Sequence, residues 1–173
     1  MTATARGFPY ALATDAIGDW PAVSLALANL LEAGNDELGY SPFTGVVSIT
    51  VSTEATAALV VALPSITFTG ANDVEIEFYS PRVTPGPVAG ASIQFVLWDS
   101  VAAASIGLLG TVLSQVAASQ SFPVLLKRRL TPAAGARTYS IRAFRGGGSN
   151  GSVGAGAGGA GVDVPGFVKA TVV

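Results

Sequence analysis

The chain has 173 residues, half of them hydrophobic and only 12% charged, with a net charge of -2, 21 Gly, 10 Pro and neither Cys nor His. This composition excludes disulfides, thiolate metal sites, haem held by His or Cys, Cys nucleophiles and every His-based acid/base scheme, and it supplies no positive excess for an electrostatic grip on nucleic acid. So many apolar residues with so little charge must be hidden in a core, a membrane or an interface between copies.

The run lengths argue against the membrane. A spanning helix needs about 20 largely apolar residues. The best runs are 56–63, which stops at Pro64, and 101–113, which contains Ser105, Gly107 and Gly110. Residues 1–9 carry the single base Arg6 and no apolar run follows before Asp15, so a secretory signal is not expected. The prediction is a protein without membrane insertion, made in a cytoplasm.

In chain order, the first predicted element is a helix starting near Asp19, a good N-cap, with Pro21 tolerated in its first turn. Trp20, Val23, Leu27 and Leu30 recur as one apolar stripe, widened by Leu25, Ala26, Ala28 and Leu31, until Gly34 and Asn35 stop it. At roughly fourteen residues such a helix is marginal alone in water and must pack on its own domain or on copies of itself. Residues 1–40 are therefore expected to form an arm and helix for attachment or oligomerisation.

From residue 41 the period becomes two. Val47, Ile49 and Val51 alternate with Ser48 and Thr50; Val74, Ile76 and Phe78 with Glu75, Glu77 and Tyr79; Ile93, Phe95 and Leu97 with Gln94, Val96 and Trp98. Tyr139, Ile141 and Ala143, then Phe167, Lys169 and Thr171, continue the pattern, and further apolar runs lie at 56–63, 105–113 and 122–130. Turn chemistry separates them at Pro64-Ser65, at 70–73, at Pro85-Gly86-Pro87 and between Pro132 and Gly135. The predicted fold is mainly β: an antiparallel, jelly-roll-like β-sandwich over 41–173, preceded by the arm and short helix. Strands at 91–98 and 166–173 are apolar on both faces, so the second face needs a cover, most economically a neighbouring subunit.

Residues 146–161 hold nine glycines and two overlapping G-x-G-x-x-G patterns, beginning at Gly154 and Gly156. A dinucleotide fingerprint requires a helix after the glycines, and here Pro165 and a β-patterned tail follow. The tract is expected to be a loop, either a long mobile hairpin connection or one packed tightly against a neighbouring copy of the chain, where only Gly fits. Lys127, Arg128 and Arg129 form a basic run, a candidate contact for an acidic partner surface or a set of paired charges. Asp73, Glu75 and Glu77 share one strand face and are its candidate partners, or hard oxygen ligands for Ca²⁺. No G-x-S-x-G or S-x-x-K signature occurs, and the eleven acids cannot be paired by sequence for glycoside hydrolysis. No catalytic residue, metal site or cofactor is predicted.

Arg6-Gly7-Phe8-Pro9-Tyr10, then Thr14-Asp15, then the Ala/Leu-rich stretch 22–31, resembles the start of tail-fibre and minor tail proteins of phages infecting actinobacteria. That family reads R-G-x-P-Y-P, and this chain has Ala11 where the second Pro stands. More loosely, Arg137-Thr138-Tyr139-Ser140-Ile141-Arg142-Ala143, the Gly-rich tract and the terminal Pro165-Gly166-Phe167-Val168-Lys169-Ala170 resemble the last strands of trimeric jelly-roll heads of the C1q and tumour-necrosis-factor type. The resemblance implies a non-enzymatic structural protein of a virion: a homotrimer bound to other tail or capsid proteins, with loops touching a host-surface glycan. Trp20, Val23, Leu27, Leu30, Lys127, Arg128 and Arg129 are its candidate interface residues. The alternatives are a capsid decoration protein and a carbohydrate-binding β-sandwich. Exposed aromatics gathered on one face would mark the last.

Overall fold

The computed structural model describes residues 37–173, together with the backbone of two short paired strands, β1 (Thr2–Ala3) and β2 (Pro9–Tyr10). The predicted helix and its stripe Trp20, Val23, Leu27 and Leu30 lie outside the described residues. The strands that follow are β3 (Glu37–Phe43), β4 (Gly45–Ile49), β5 (Ala58–Ala62), β6 (Ile66–Phe68), β7 (Val74–Thr84), β8 (Ser92–Asp99) and β9 (Ala104–Leu113). After them come β10 (Phe122–Leu130), β11 (Gly135–Arg137), β12 (Tyr139–Gly146), β13 (Gly151–Ala155) and β14 (Gly166–Val172). Every described pairing is antiparallel.

Two sheets carry the fold. In the first, the long strand β7 pairs along one edge with β10; along the other it pairs with β14 at Val74–Tyr79 and with β13 at Arg82–Thr84. Outside these lie β3, on β14, and β4, on β13. The second sheet runs β5-β12-β8-β9. With β3/β4 taken as one broken strand and β13/β14 as another, the eight strands are first, last, third and sixth in one sheet and second, seventh, fourth and fifth in the other. This interleaving is the jelly roll, so the predicted fold class holds.

The core lies between the sheets, where period-two alternation places it. Val74, Ile76 and Phe78 of β7 face Ile93, Phe95 and Leu97 of β8 and Ile141 and Ala143 of β12, all at most 1% exposed. Phe78 and Phe95 meet across the gap with ring centroids 5.3 Å apart, and Phe43 stacks on the other side of Phe78 at 6.1 Å. On β10 the alternation turns Val124, Leu126 and Leu130 inward against this core.

The open side between β9 and β10 is closed by Arg128. Its guanidinium donates to the carbonyls of Ile106 (3.1 Å) and Leu108 (3.4 Å), using acceptors on the edge of the second sheet. Gly107 makes the approach possible: its φ is +136°, and a Cβ there would sit 2.8 Å from the Arg128 Nη1.

Two expectations change. The sandwich takes in residues 37–40, because β3 begins at Glu37 and pairs with β14, so the sheet starts before residue 41. The Gly-rich tract 146–161 is not one loop, since Gly151–Ala155 forms β13, hydrogen-bonded between β4 and β7 with Val153 fully buried. Glycine composition hid a strand in which neighbours crowd the Cβ positions of Gly151 and Gly154.

The second face of the two-faced strand β8 finds part of its cover within the chain. Val96 and Phe144, on the outer side of the second sheet, pack with Ala57 and Val51 from the segment that carries a single 3-10 turn at Glu54–Thr56.

Candidate functional site: an aromatic row on the outer face of the first sheet

Register fixes which side chains share the outer face of the β10–β7–β14–β3 sheet. One row across the four strands is Leu125, Tyr79, Phe167 and Pro42; the next is Lys127, Glu77, Lys169 and Tyr40. Four strands span three interstrand gaps, about 14 Å. The Phe167 ring sits between two tyrosines, 5.6 Å from Tyr79 and 5.7 Å from Tyr40, at interplanar angles of 33° and 31°. Tyr40 is 45% exposed and Leu125, at the far end, 56%. The Lys169 ammonium lies 5.9 Å from the Phe167 ring centre. Three rings thus lie side by side on a sheet face, drawn from three strands remote from one another in sequence.

Beside the rings runs a ladder of ion pairs. Lys127 donates to Glu75 at 2.8 Å and lies 2.6 Å from a Glu77 oxygen; Lys169 lies 3.4 Å from the other Glu77 oxygen. Arg129 holds Asp73 at 2.9 Å, and Thr131 donates to the same carboxylate at 2.5 Å. The sequence-predicted pairing of the basic run with Asp73, Glu75 and Glu77 is therefore met inside one chain for Lys127 and Arg129. Arg128, on the opposite strand face, serves β9 instead. These carboxylates are taken up by cations, and among the described residues no group of three or more Asp, Glu, His or Cys is placed to hold a metal ion.

The ladder shifts its own protonation. Burial pushes the Glu77 carboxyl up, but hydrogen bonds and charge from Lys127 and Lys169 outweigh it, and the group ends below the usual glutamate range. Hydrogen bonds from Thr131 and then Arg129 hold Asp73 below its ordinary value, and those to Glu75 and Glu77 raise Lys127. A carboxyl depressed in the folded state contributes stability that is complete above its unfolded pKa and is lost as pH falls through the folded one. Melting temperature is thus expected to drop as pH falls below about 5, where unfolded carboxyls begin to take up protons. Glu77→Gln should flatten that dependence and lower stability at neutral pH by roughly 1 kcal/mol or less. Thermal melts from pH 2 to 7 check this; a Glu77→Gln profile parallel to wild type throughout contradicts it.

Trp98, the other tryptophan, lies on the outer face of the second sheet, with the Arg142 guanidinium 4.4 Å above its ring. Trp20 lies outside the described residues. Sequence alone does not gather the aromatic row. Its only local signals were Tyr79 and Phe167 at outward positions of alternating strands, and Tyr40 stood in the segment assigned to the arm.

Among the described residues no helix is long and apolar enough to cross a membrane. No protein-family model and no curated protein sequence matches the chain. Among solved structures, the chain is similar to a carbohydrate-binding module of lichenase 5A from Cellvibrio mixtus, determined in complex with cellotriose. The match has 12% identity, covers 81% of this chain and 92% of that one, and has a TM-score of 0.31. A likeness that loose bears on neither the details of the fold nor the function.

Proposed function

We propose that the sandwich is a non-enzymatic binding module that takes a saccharide chain on the outer face of the first sheet. One observation carries the reading: Tyr40, Phe167 and Tyr79 form a continuous row of partly exposed rings beside a fixed set of polar groups. Ring faces carry negative charge density and attract the polarised C–H faces of a pyranose, while sugar hydroxyls exchange water for hydrogen bonds along the rim. The Glu77, Lys169 and Lys127 side chains hold each other in place, so few rotamers remain to be frozen on binding. The composition supports a binder over a catalyst, since it contains no His and no Cys.

The test is co-sedimentation of the full chain with insoluble cellulose, chitin and bacterial cell wall. Wild type is expected to sediment with at least one of them. The Tyr40→Ala/Phe167→Ala variant is expected to lose about tenfold or more in affinity, the usual cost of truncating aromatic anchors. No binding to any of the three, or equal binding by the variant, overturns the reading.

The amino-terminal motif Arg6-Gly7-Phe8-Pro9-Tyr10 with Thr14-Asp15 favours a compatible second reading, that the module is carried on a phage particle as a small tail-fibre or minor tail protein, with capsid decoration as the variant of that reading. Quantitative mass spectrometry of purified particles separates these: a few copies for a tail part, hundreds for a decoration protein, none if the reading fails.

A further inference from the structure

The outer face of the second sheet carries a different kind of surface. Register places Leu59, Arg142, Val96 and Leu108 in one row across β5, β12, β8 and β9, and Ser140, Trp98 and Ser105 in the next. The local segment covers Val96, but Leu59 and Leu108 remain 53% and 51% exposed at the two ends of the row. Ser105 Oγ and Arg142 Nε, both beside Trp98, are withdrawn from water yet have no hydrogen-bond partner. Burying a polar group without a partner is costly, and this side of the sheet carries two such atoms.

The charges on this face indicate what completes it. Arg142 stacks on Trp98 and makes no ion pair among the described residues, whereas Arg82, Lys127, Arg129, Arg137 and Lys169 each hold a carboxylate, and Arg128 and Arg145 donate to backbone carbonyls. Glu54, in the 3-10 turn that packs beside β9 and β12, likewise has no cation partner among the described residues. One face thus presents an unmatched base, an unmatched acid and two exposed leucines. A surface carrying both halves of an ion pair is complementary to itself, the requirement for contact between identical chains.

We propose that a second copy of this chain docks here, on the outer side of the β5-β12-β8-β9 sheet together with the 51–57 segment that lies on it, with Glu54 of each copy reaching Arg142 of the other and Leu59 and Leu108 buried between them. The contact leaves the aromatic row of the first sheet pointing outward on both copies. The two rows then face away from each other, so one assembly would bridge two saccharide chains. The inference does not rest on the saccharide reading, because it concerns the opposite face.

The experiment is mass by light scattering and sedimentation of the full chain over a range of concentrations. Wild type is expected above monomer mass, and Leu59→Glu/Leu108→Glu, two changes at exposed positions, is expected at monomer mass with an unchanged circular dichroism spectrum. Arg142→Glu should also dissociate the assembly, and adding Glu54→Arg should restore it. A monomeric wild type, or an assembly that the leucine variant leaves intact, overturns the proposal. Dissociation by Arg142→Glu without rescue by Glu54→Arg overturns the ion pair that selects a second copy as the occupant.

Discussion

Replacing Phe78 with alanine is expected to destabilise the protein by about 3–5 kcal/mol, the largest effect of any single side-chain truncation considered. Phe78 is fully buried, stacks on Phe43 and meets Phe95 of the facing sheet. Its loss removes apolar area from the core and leaves a cavity that two β-sheets, each held by its own hydrogen-bond ladder, cannot collapse to fill. For a domain of this size the expected fall in melting temperature is roughly 6–20 °C. Thermal unfolding followed by circular dichroism measures it. A shift of only a degree or two would mean that the sheets do not meet at this pair of rings.

The second large effect is expected at Gly151. A Cβ there would lie 2.7 Å from the Thr84 carbonyl oxygen and 2.8 Å from Ile93 Cδ1, one a backbone atom of the neighbouring strand and the other part of a fully buried side chain. Neither can yield cheaply. Gly151→Val should cost about 1–3 kcal/mol or more by overpacking. Gly148, in the same glycine-rich tract, has open space where its Cβ would be. Gly148→Ala should stay within about 0.5 kcal/mol of wild type. Urea unfolding of the two variants decides the matter. Equal stabilities would return the tract to the status of a loop and contradict the placement of β13.

That pair of glycines shows where the sequence is legible and where it is not. Strands β7, β8, β12 and β14 are readable because each buries one face, so Val, Ile, Phe and Leu fall at alternate positions. The signal is local and survives without knowledge of partners. β13 is unreadable by the same rule, because glycine stands at two of its five positions, Gly151 and Gly154, where neighbours come close. Close approach is a property of the assembled sheet. In β7 the alternation stops at Ser80, where Pro81 and Arg82 intervene and the pairing with β10 shifts register, so the strand runs further than its pattern.

The same division holds at the candidate site. The pairing of Lys127 and Arg129 with Glu75, Glu77 and Asp73 could be anticipated, since period two puts three acids on one face and two of the three bases on another. The aromatic row could not be. Tyr40, Tyr79 and Phe167 become neighbours only through the pairing of β3, β14 and β7, and strand order is set by contacts remote in sequence. Composition raised the question of where so many apolar residues go. Among the described residues a large share enters the core, the segment around Val51 and Ala57 covers part of the second sheet, and others lie on the ring-lined face and on the leucine-flanked one.

The central claim is that the ring row is a ligand surface. Calorimetric titration tests it most directly, using soluble oligosaccharides of increasing length from whichever polysaccharide the full chain sediments with. The account predicts affinity that rises with length until the chain spans the three rings, about 10 Å across β3, β14 and β7, and that collapses in Tyr40→Ala/Phe167→Ala while the variant's melting temperature stays near that of wild type. Binding that is independent of length and unchanged in that variant would contradict it.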